Sequence, residues 1–322
     1  MSGRGRAWAY LGVFAACAAA ALFAVGLGHL LIDSRRCRVS GYGDDRFLAY
    51  CYSKFYGDYE HGALYYGSEP VVFDNIRQAQ VIFLGNSKTQ AGFSSRAVRT
   101  YFHDRGIRYF VLGFGYEEWS PFALAVLKSS GAAPKVLVIN ADPFFSEKLS
   151  QPAREALAGG PSYRWRLRLK MLFQRLHRGV CAIAPGICPD SAPSIFRSAA
   201  DGQWFWVGPM VPDTSLPLDR SRQRRLAPAE LAAATEIGGR FLDAIRLDRR
   251  CVILTGIPSS DLDAPAVAAA LAAALETRSI LPPDDGLSTL DHIHLGVAGA
   301  EAWSGRFLEA ISPILRDCLA QQ

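Results

Sequence analysis

The sequence lacks the residue clusters that commonly mark metal and nucleic-acid sites. It has seven cysteines and six histidines, but no Cys and His run at the spacing of a closed zinc site, which needs about four ligands. The 35 basic residues only slightly outnumber the 30 acidic ones, and no recognisable nucleic-acid module accompanies the net charge of +5. Gly113-Phe114-Gly115 lacks the third glycine of a dinucleotide-binding fingerprint. We therefore expect no metal, no cofactor and no nucleic-acid partner.

One long apolar segment is present near the N-terminus. It runs from Ala7 to Ile32 and is interrupted only by His29. About 20 such residues suffice to cross the hydrocarbon core of a bilayer, and the run is longer than the apolar part of a cleaved signal peptide. Basic residues flank both ends, so their distribution does not decide the orientation. The sequence predicts an N-terminal tail and a single transmembrane anchor over residues 1–32.

Six of the seven cysteines can be arranged in three pairs, which leaves Cys17 in the apolar segment. The candidate disulfides are Cys37 with Cys51, Cys181 with Cys188, and Cys251 with Cys318. Two buried free thiols are an equal alternative for the last pair. Disulfides persist in oxidising compartments, so the arrangement favours a soluble part outside the cytoplasm with the N-terminus inside. Together with the predicted anchor, this indicates a single-pass protein of the inner (cytoplasmic) membrane. We expect its soluble part to lie in the periplasm or outside the cell.

Half of the chain is apolar, which is enough for a substantial core. Residues 33–79 are rich in tyrosine and poor in aliphatic residues, and we interpret them as a stalk or flap rather than as core. Residues 80–318 are expected to form the main domain. An insertion at about 144–226 interrupts its regular pattern.

The main domain alternates short apolar runs with helical periodicity. The predicted strands are Val81–Leu84, Tyr109–Leu112, Lys135–Asn140 and Cys251–Thr255. The predicted helices run from Ser94 to about His103, Ser120 to about Ser130, Pro228 to Leu247, about Ala264 to Glu276, and Ala298 to Cys318. Such repeats indicate an α/β fold, with a parallel sheet covered by helices on both faces.

Two features of the insertion stand out. A basic amphipathic helix is predicted from Ser162 to His177. It suits an anionic membrane surface or an acidic polymer, although an ordinary covering helix with a solvated basic face fits equally well. Trp204-Phe205-Trp206 is the second feature, and its rings are suited either to stacking on sugars or to holding the insertion against the domain. We place the insertion beside the active face.

Candidate catalytic residues lie at two distant positions in the chain. Ser87 follows the strand Val81–Leu84, and the carboxyl ends of parallel strands face the ligand crevice. Asp291 and His294 are three residues apart, a spacing that lets the carboxylate orient the imidazole. These three residues would form a serine-hydrolase triad. A metal site of Asp291, His292 and His294 is set aside because no further ligands lie near them in sequence.

These two segments resemble the signature blocks of the SGNH (GDSL-like) hydrolases. Gly85-Asn86-Ser87 is similar to the family's Gly-Asp-Ser block, and Asp291-His292-Ile293-His294 to its final Asp-x-x-His block. The resemblance implies a flavodoxin-like three-layer α/β/α sandwich, with Ser87 as nucleophile, His294 as base and Asp291 as its orienting residue. It also implies an oxyanion glycine, for which Gly115 is the best match and Gly113 its neighbour. The family's Gly-x-Asn block is altered to Ile139-Asn140-Ala141-Asp142, so Asn140 or Asp142 would complete the oxyanion site.

The resemblance, together with the predicted anchor, implies a membrane-anchored extracytoplasmic acyl-ester enzyme. It would be an acetylesterase or O-acyltransferase acting on cell-envelope or exported polysaccharide. Its expected partners are a polysaccharide or other acyl acceptor and a membrane-bound O-acyltransferase. The altered third block leaves one alternative, a degenerate domain that binds polysaccharide or scaffolds an envelope assembly without catalysis. The basic helix leaves another, a general esterase or lipase at the membrane surface.

Overall fold

The structure is a computed structural model that describes residues 12–18, 20–21, 35–185, 188, 192–208 and 215–320. Most of the predicted membrane anchor, Ala7 to Ile32, lies outside these residues, and its described parts, 12–18 and 20–21, are helical. Within the described ranges, no helix is both long enough and apolar enough to cross a bilayer.

A five-stranded parallel sheet occupies the centre of the domain. Its strands are β2 Val81–Gly85, β3 Tyr109–Gly113, β4 Val136–Asn140, β8 Val252–Thr255 and β9 Arg278–Ser279, numbered by their order among all strands of the chain. Across the sheet they stand in the order β3-β2-β4-β8-β9. The four longer strands match the predicted ones to within a residue, because each is a continuous apolar run that is buried on both faces.

Helices cover both faces of this sheet. The helices are α1 Glu60–Tyr66, α2 Pro70–Gln78, α3 Ser87–Phe93, α4 Arg96–Asp104, α5 Ser120–Ser130, α6 Gln151–Ala158, α7 Pro161–Ile183, α8 Pro228–Ile245, α9 Ala264–Ala274 and α10 Val297–Ala320. Alternate residues of β2 enter different cores: Ile82 packs in one cluster and Phe83 in the other. The predicted α/β class with a parallel, helix-flanked sheet is confirmed, and the arrangement is compatible with three layers.

The prediction that residues 33–79 form a stalk or flap outside the core is wrong. Strand β1 (Arg46–Cys51), α1 and α2 all contribute to the larger core, in which Tyr56 and Tyr59 are fully buried. The composition misleads here because tyrosine rings replace aliphatic side chains, and each ring buries a large apolar area. This segment therefore belongs to the body of the protein.

The predicted insertion supplies the partners of this segment. Strands β5 (Ser194–Ser198) and β6 (Trp204–Val207) form an antiparallel sheet with β1, in the order β1-β5-β6. Two short strands, β7 (Leu216–Pro217) and β10 (Ser288–Thr289), pair separately. The described parts of residues 33–79 and 144–226 therefore share one sheet, although the sequence predicts that they belong to different units.

Three disulfides link the described chain, and they are the three candidate pairs. Cys37 bonds Cys51 and so ties the chain before β1 to the end of that strand, and Cys181 bonds Cys188 beyond the last turns of α7. Cys251 bonds Cys318 and joins the start of β8 to the end of α10. The alternative of two free thiols at this last position is therefore not the arrangement in the structure.

Candidate active site

Ser87 is placed by a sharp change from strand to helix. Gly85 ends β2 with a φ of 153°, and an added Cβ would lie 2.0 Å from Thr89 Oγ1, so only glycine fits. Asn86 caps the following helix by accepting a hydrogen bond from the Lys88 amide at 3.0 Å. Ser87 is the first residue of α3. The sequence predicts a helix only from Ser94, and this prediction misses α3, which ends at Phe93. Ser95 caps a separate helix, α4.

The structure brings Ser87, His294 and Asp291 together. The Oγ atom of Ser87 lies 2.8 Å from His294 Nε2, although the two residues are 207 positions apart. On the other side of the ring, His294 Nδ1 lies 2.8 Å from Asp291 Oδ2. A proton on Nδ1 leaves Nε2 unprotonated and able to accept the serine proton. The three groups therefore have the arrangement of nucleophile, general base and orienting carboxylate.

Asp291 is held as an anion. Partial burial acts to raise its pKa, but hydrogen bonds and charge attraction from His294, with a further hydrogen bond from Ile293, lower the pKa to about 2. Its second oxygen accepts the backbone amides of Ile293 at 3.0 Å and His294 at 2.8 Å. The carboxylate thus stays ionised near neutral pH and fixes both the ring and the backbone of the base.

The loop that carries His294 is held by hydrogen bonds on two sides. The Thr289 hydroxyl accepts the His292 amide at 3.1 Å, and the His292 carbonyl accepts the Ser260 amide at 2.8 Å. His292 itself has a φ of 68°, a left-handed conformation that is unfavourable for residues other than glycine. The surrounding hydrogen bonds offset this strain, so His292 supports the loop and is not itself a member of the triad.

Among the predicted oxyanion residues, Asn140 has an available donor. It is fully buried, and its Oδ1 accepts the Ile257 amide at 3.1 Å. Its Nδ2 is buried and has no hydrogen-bond partner among the described residues. A buried amide without a partner is costly, and a ligand oxygen would satisfy it.

Asp142 suits the oxyanion site poorly. Its carboxylate is almost fully buried and forms an ion pair with Lys88. Burial raises the pKa of Asp142, whereas the Lys88 ammonium lowers it. An ion-paired carboxylate accepts hydrogen bonds, so it does not provide the donor that a developing oxyanion needs.

The two candidate glycines after β3 differ in their surroundings. At Gly113, an added Cβ would lie 2.7 Å from the Asn86 carbonyl oxygen, so this position needs glycine to let β3 approach the nucleophile turn. At Gly115, the nearest atom to an added Cβ would be in the Trp204 ring at 3.7 Å, an ordinary contact. Gly113 is therefore required by packing, and Gly115 remains the oxyanion candidate.

Lys88 is a buried residue of the candidate site, and it was not predicted from the sequence. Its Nζ contacts Asp142, the Ser259 hydroxyl at 3.2 Å, and both carboxylate oxygens of Asp261 at 2.8 and 2.9 Å. It thereby joins the nucleophile helix to the segments that follow β4 and β8. The sequence contained one signal, since Lys88 directly follows the candidate nucleophile Ser87. A lysine that is buried at such a position needs carboxylate partners.

An aromatic wall adjoins the base. The Trp206 ring meets the His294 ring edge to face, with centroids 5.5 Å apart. Trp206 also lines a cavity of about 410 Å³ together with Trp204, Leu290 and Leu295. The Trp204-Phe205-Trp206 motif lies in strand β6, and its Trp206 ring contacts His294. This position agrees with the prediction that the insertion lies beside the candidate site.

Among the residues that the structure describes, two groups of side chains have ligand atoms close enough to share a metal ion. They are His177 with Cys181 and Cys188, and Asp58 with Glu60 and His61. In the first group the two sulfurs are bonded to each other, and a disulfide sulfur is not a thiolate ligand. In the second, His61 uses both ring nitrogens on carboxylates and Glu60 pairs with Arg197. Neither group presents free ligands.

Comparisons of the chain with protein-family models, with curated proteins and with solved structures find no match in any of the three.

Proposed function

We propose that this chain is a serine acyl-ester enzyme of the SGNH (GDSL-like) type. The observation that carries the proposal is the continuous contact from Ser87 Oγ through His294 to Asp291, with 2.8 Å at each step. The strand order β3-β2-β4-β8-β9 also supports it, because it is the 2-1-3-4-5 order of flavodoxin-like sheets. Ser87 follows β2 and Asn140 ends β4, so both belong to the carboxyl edge of the sheet, where such folds bind ligands.

The proposed reaction begins when Ser87 Oγ attacks the acyl carbonyl carbon and His294 Nε2 takes the hydroxyl proton. Asp291 stabilises the imidazolium that results. The backbone amides of Ser87 and Gly115 and the Nδ2 of Asn140 are the proposed donors to the tetrahedral oxyanion. The intermediate collapses, and the proton on His294 passes to the departing alcohol. This leaves an acyl group esterified to Ser87.

In the second half of the reaction, water or a sugar hydroxyl attacks the acyl-serine. His294 removes the proton of the attacking group and then returns it to Ser87 Oγ. Hydrolysis and transfer differ only in this acceptor. The cavity lined by Trp204 and Trp206, of which Trp206 contacts the His294 ring, supports a sugar acceptor, because tryptophan rings provide flat apolar surfaces for sugar rings. We therefore propose an acetylesterase or O-acyltransferase that acts on cell-envelope or exported polysaccharide.

The proposed setting is the outer side of the cytoplasmic membrane, with residues 1–32 as the anchor. The apolar sequence of Ala7 to Ile32 supports the anchor, and three disulfides in the described domain support an oxidising compartment. A membrane-bound O-acyltransferase that supplies the acyl group is the proposed partner.

The test is covalent labelling of the full-length protein with a fluorophosphonate, which reacts readily only with an activated serine. We expect labelling of the wild type, no labelling of Ser87→Ala, and full labelling of the control Ser129→Ala. Ser129 is an exposed serine near the end of α5, where its hydroxyl bonds only to the Val126 carbonyl in the structure. An unlabelled wild type would contradict the proposal and favour a domain without catalysis.

The same preparations can separate transfer from general ester hydrolysis. We expect 4-nitrophenyl acetate to be cleaved faster than long-chain esters, and an acetylated product to appear when a polysaccharide acceptor is added. A preference for long acyl chains without any effect of the acceptor would instead identify a general esterase.

A further inference from the structure

One face of α7 is apolar and exposed. The α7 stripe consists of Trp165, Leu172, Leu176, Val180 and Ile183, whose exposed fractions are 60, 51, 56, 44 and 88%. At about 3.6 residues per turn these positions fall on a single face along the helix. An ordinary covering helix turns its apolar face towards the core, so this stripe requires another explanation.

The stripe is not the side by which α7 packs on the domain. Leu167, Phe173, Gln174, His177 and Cys181 are the buried positions, and they occupy a different side of the helix that borders the stripe near Val180. The disulfide between Cys181 and Cys188 further fixes the end of α7. The helix is therefore already held by one face and presents a second apolar face outward.

The charge of α7 has only one sign. Its sequence contains five arginines and one lysine but no aspartate or glutamate. Arg164, Arg168 and Arg175 are exposed and lie along one side of the stripe at helical spacing. Exposed apolar residues next to a run of cations are the pattern of helices that lie in the headgroup region of anionic membranes.

The position of α7 relative to the predicted anchor fits this pattern. Tyr42 Oη lies 3.3 Å from His177 Nδ1, and Arg178 forms an ion pair of 3.6 Å with Asp44. Tyr42 follows Ile32, the end of the apolar segment, by ten residues, which span at most about 36 Å even when extended. The second half of α7 is therefore confined to the neighbourhood of the point where the anchor would leave the bilayer.

We propose that the α7 stripe and its flanking arginines dock onto the surface of an anionic phospholipid bilayer. The helix axis lies in the plane of the membrane, Trp165 and the leucines enter the interface, and the arginines contact lipid phosphates. This docking gives the domain one fixed orientation on its anchor. It uses none of the proposed catalytic residues, so it stands or falls independently of the acyl-ester chemistry.

The test places an environment-sensitive fluorophore on Leu176→Cys in full-length protein carrying Cys17→Ser. Cys17 is the free cysteine of the described residues and the other six are in disulfides, so the label has a single target. The protein is reconstituted in nanodiscs of phosphatidylcholine, with or without phosphatidylglycerol. We expect a blue shift, and quenching by nitroxide-labelled lipids, in the discs that contain phosphatidylglycerol.

Charge variants make the test specific. Replacing Arg164, Arg168 and Arg175 by glutamine is expected to lower the ratio of docked to undocked protein roughly 100-fold, at about fivefold for each arginine, and added salt should act in the same direction. A matched control replaces Arg105, Arg225 and Arg316, exposed arginines outside α7, and should leave docking unchanged. A label at Leu281→Cys, on the loop after β9, should report no lipid contact. Near-ultraviolet circular dichroism checks that each variant is folded.

Three results would overturn the proposal. The first is equal quenching with and without phosphatidylglycerol, and the second is docking that the three glutamines do not weaken. The third is a fluorescence change that depends on protein concentration rather than on lipid composition, which would show that a second copy of the chain covers the stripe.

Discussion

Two histidines of this protein have an aspartate three residues before them, and they form nearly identical pairs. His294 Nδ1 lies 2.8 Å from Asp291, and His61 Nδ1 lies 2.9 Å from Asp58. The pairs differ at the other ring nitrogen. His294 Nε2 faces the hydroxyl of Ser87 at 2.8 Å, whereas His61 Nε2 faces the carboxylate of Glu118 at 3.1 Å.

This difference changes the chemistry of the ring. Burial alone would lower the pKa of His61, but attraction and hydrogen bonding from Asp58 and Glu118 raise it to about 10. A ring that holds its proton so firmly donates from both nitrogens and cannot act as a base near neutral pH. His294 faces one carboxylate and one hydroxyl, and its side chain remains partly exposed. The Asp-x-x-His spacing therefore orients a ring, and the group opposite Nε2 decides its role.

The strongest test of this comparison is the loss of the base. We expect His294→Gln to lower kcat/KM for an acetyl ester by roughly 10⁴- to 10⁶-fold, because Ser87 then has no group to accept its proton. Thermal unfolding should change little. The measurement is steady-state kinetics on protein whose concentration is set by a folding assay, and a loss of less than tenfold would show that His294 is not the base.

The aspartates of the two pairs, Asp291 and Asp58, should also differ in their effect on catalysis. Asp291→Asn is expected to lower kcat by up to about 10⁴-fold, because an amide no longer stabilises the imidazolium or fixes its tautomer. Asp58→Asn is the matched control and should leave kcat per folded molecule unchanged while it lowers stability. Equal losses of kcat in the two variants would show that the group facing Nε2 does not determine which Asp–His pair is catalytic.

His61 should matter for stability instead. We expect His61→Gln to reduce the free energy of unfolding by about 3–5 kcal/mol, because the variant leaves a carboxylate buried without its cation. His103→Gln, at an exposed histidine, should have no such effect. Urea unfolding of the two variants measures the difference.

The raised pKa of His61 predicts that the protein loses stability as the pH becomes alkaline. Its pKa rises from the ordinary 6.5 to about 10 on folding, so its contribution is complete below pH 6.5 and is lost as the pH rises towards 10. The wild type should therefore lose stability across this range and His61→Gln should lose less. Parallel pH profiles for the two proteins would contradict a protonated His61.

The smallest expected effect concerns the aromatic contact of the base. Trp206→Ala should lower kcat/KM by roughly threefold to tenfold, since an edge-to-face contact is worth about 0.5–1.5 kcal/mol. Trp165→Ala, on α7, should have no effect on hydrolysis of a soluble ester. A larger loss at Trp206 that appears only with a sugar acceptor would assign the ring to acceptor binding.

The parts of the molecule that follow from local sequence were predictable. The strands β2, β3, β4 and β8 are short, largely apolar runs, and Ser87 lies two residues after the last residue of β2. Asp291 and His294 could be paired because their contact depends only on a three-residue spacing. The triad with Ser87 is predicted from the need of a serine nucleophile for a base and from the resemblance to the SGNH hydrolases, because no local pattern joins positions 207 residues apart.

The remaining features depend on contacts between distant residues. The pairing of β1 with β5 joins Arg46 to Ser198, and no local pattern specifies that register. Lys88 is buried because Asp142 and Asp261 reach it from two other loops. The Asp58–His61 pair was not predicted, because the composition of residues 33–79 indicates a segment outside the core. Its burial depends on the pairing of β1 with β5, which no local pattern specifies.

The disulfide between Cys251 and Cys318 divides the proposed active site in an instructive way. These cysteines are 67 residues apart, and the loop they close contains Asp261, Asp291 and His294 but not Ser87. In the chain-entropy account, a closed loop of this size removes several kcal/mol of conformational freedom from the unfolded protein, roughly 4 kcal/mol. The base and its aspartate are thus confined in a covalent ring even when the protein unfolds, whereas the nucleophile is not. Recovery of activity after denaturation then requires Ser87, and the oxyanion candidates Asn140 and Gly115 outside the ring, to reach a base whose conformational search is already restricted.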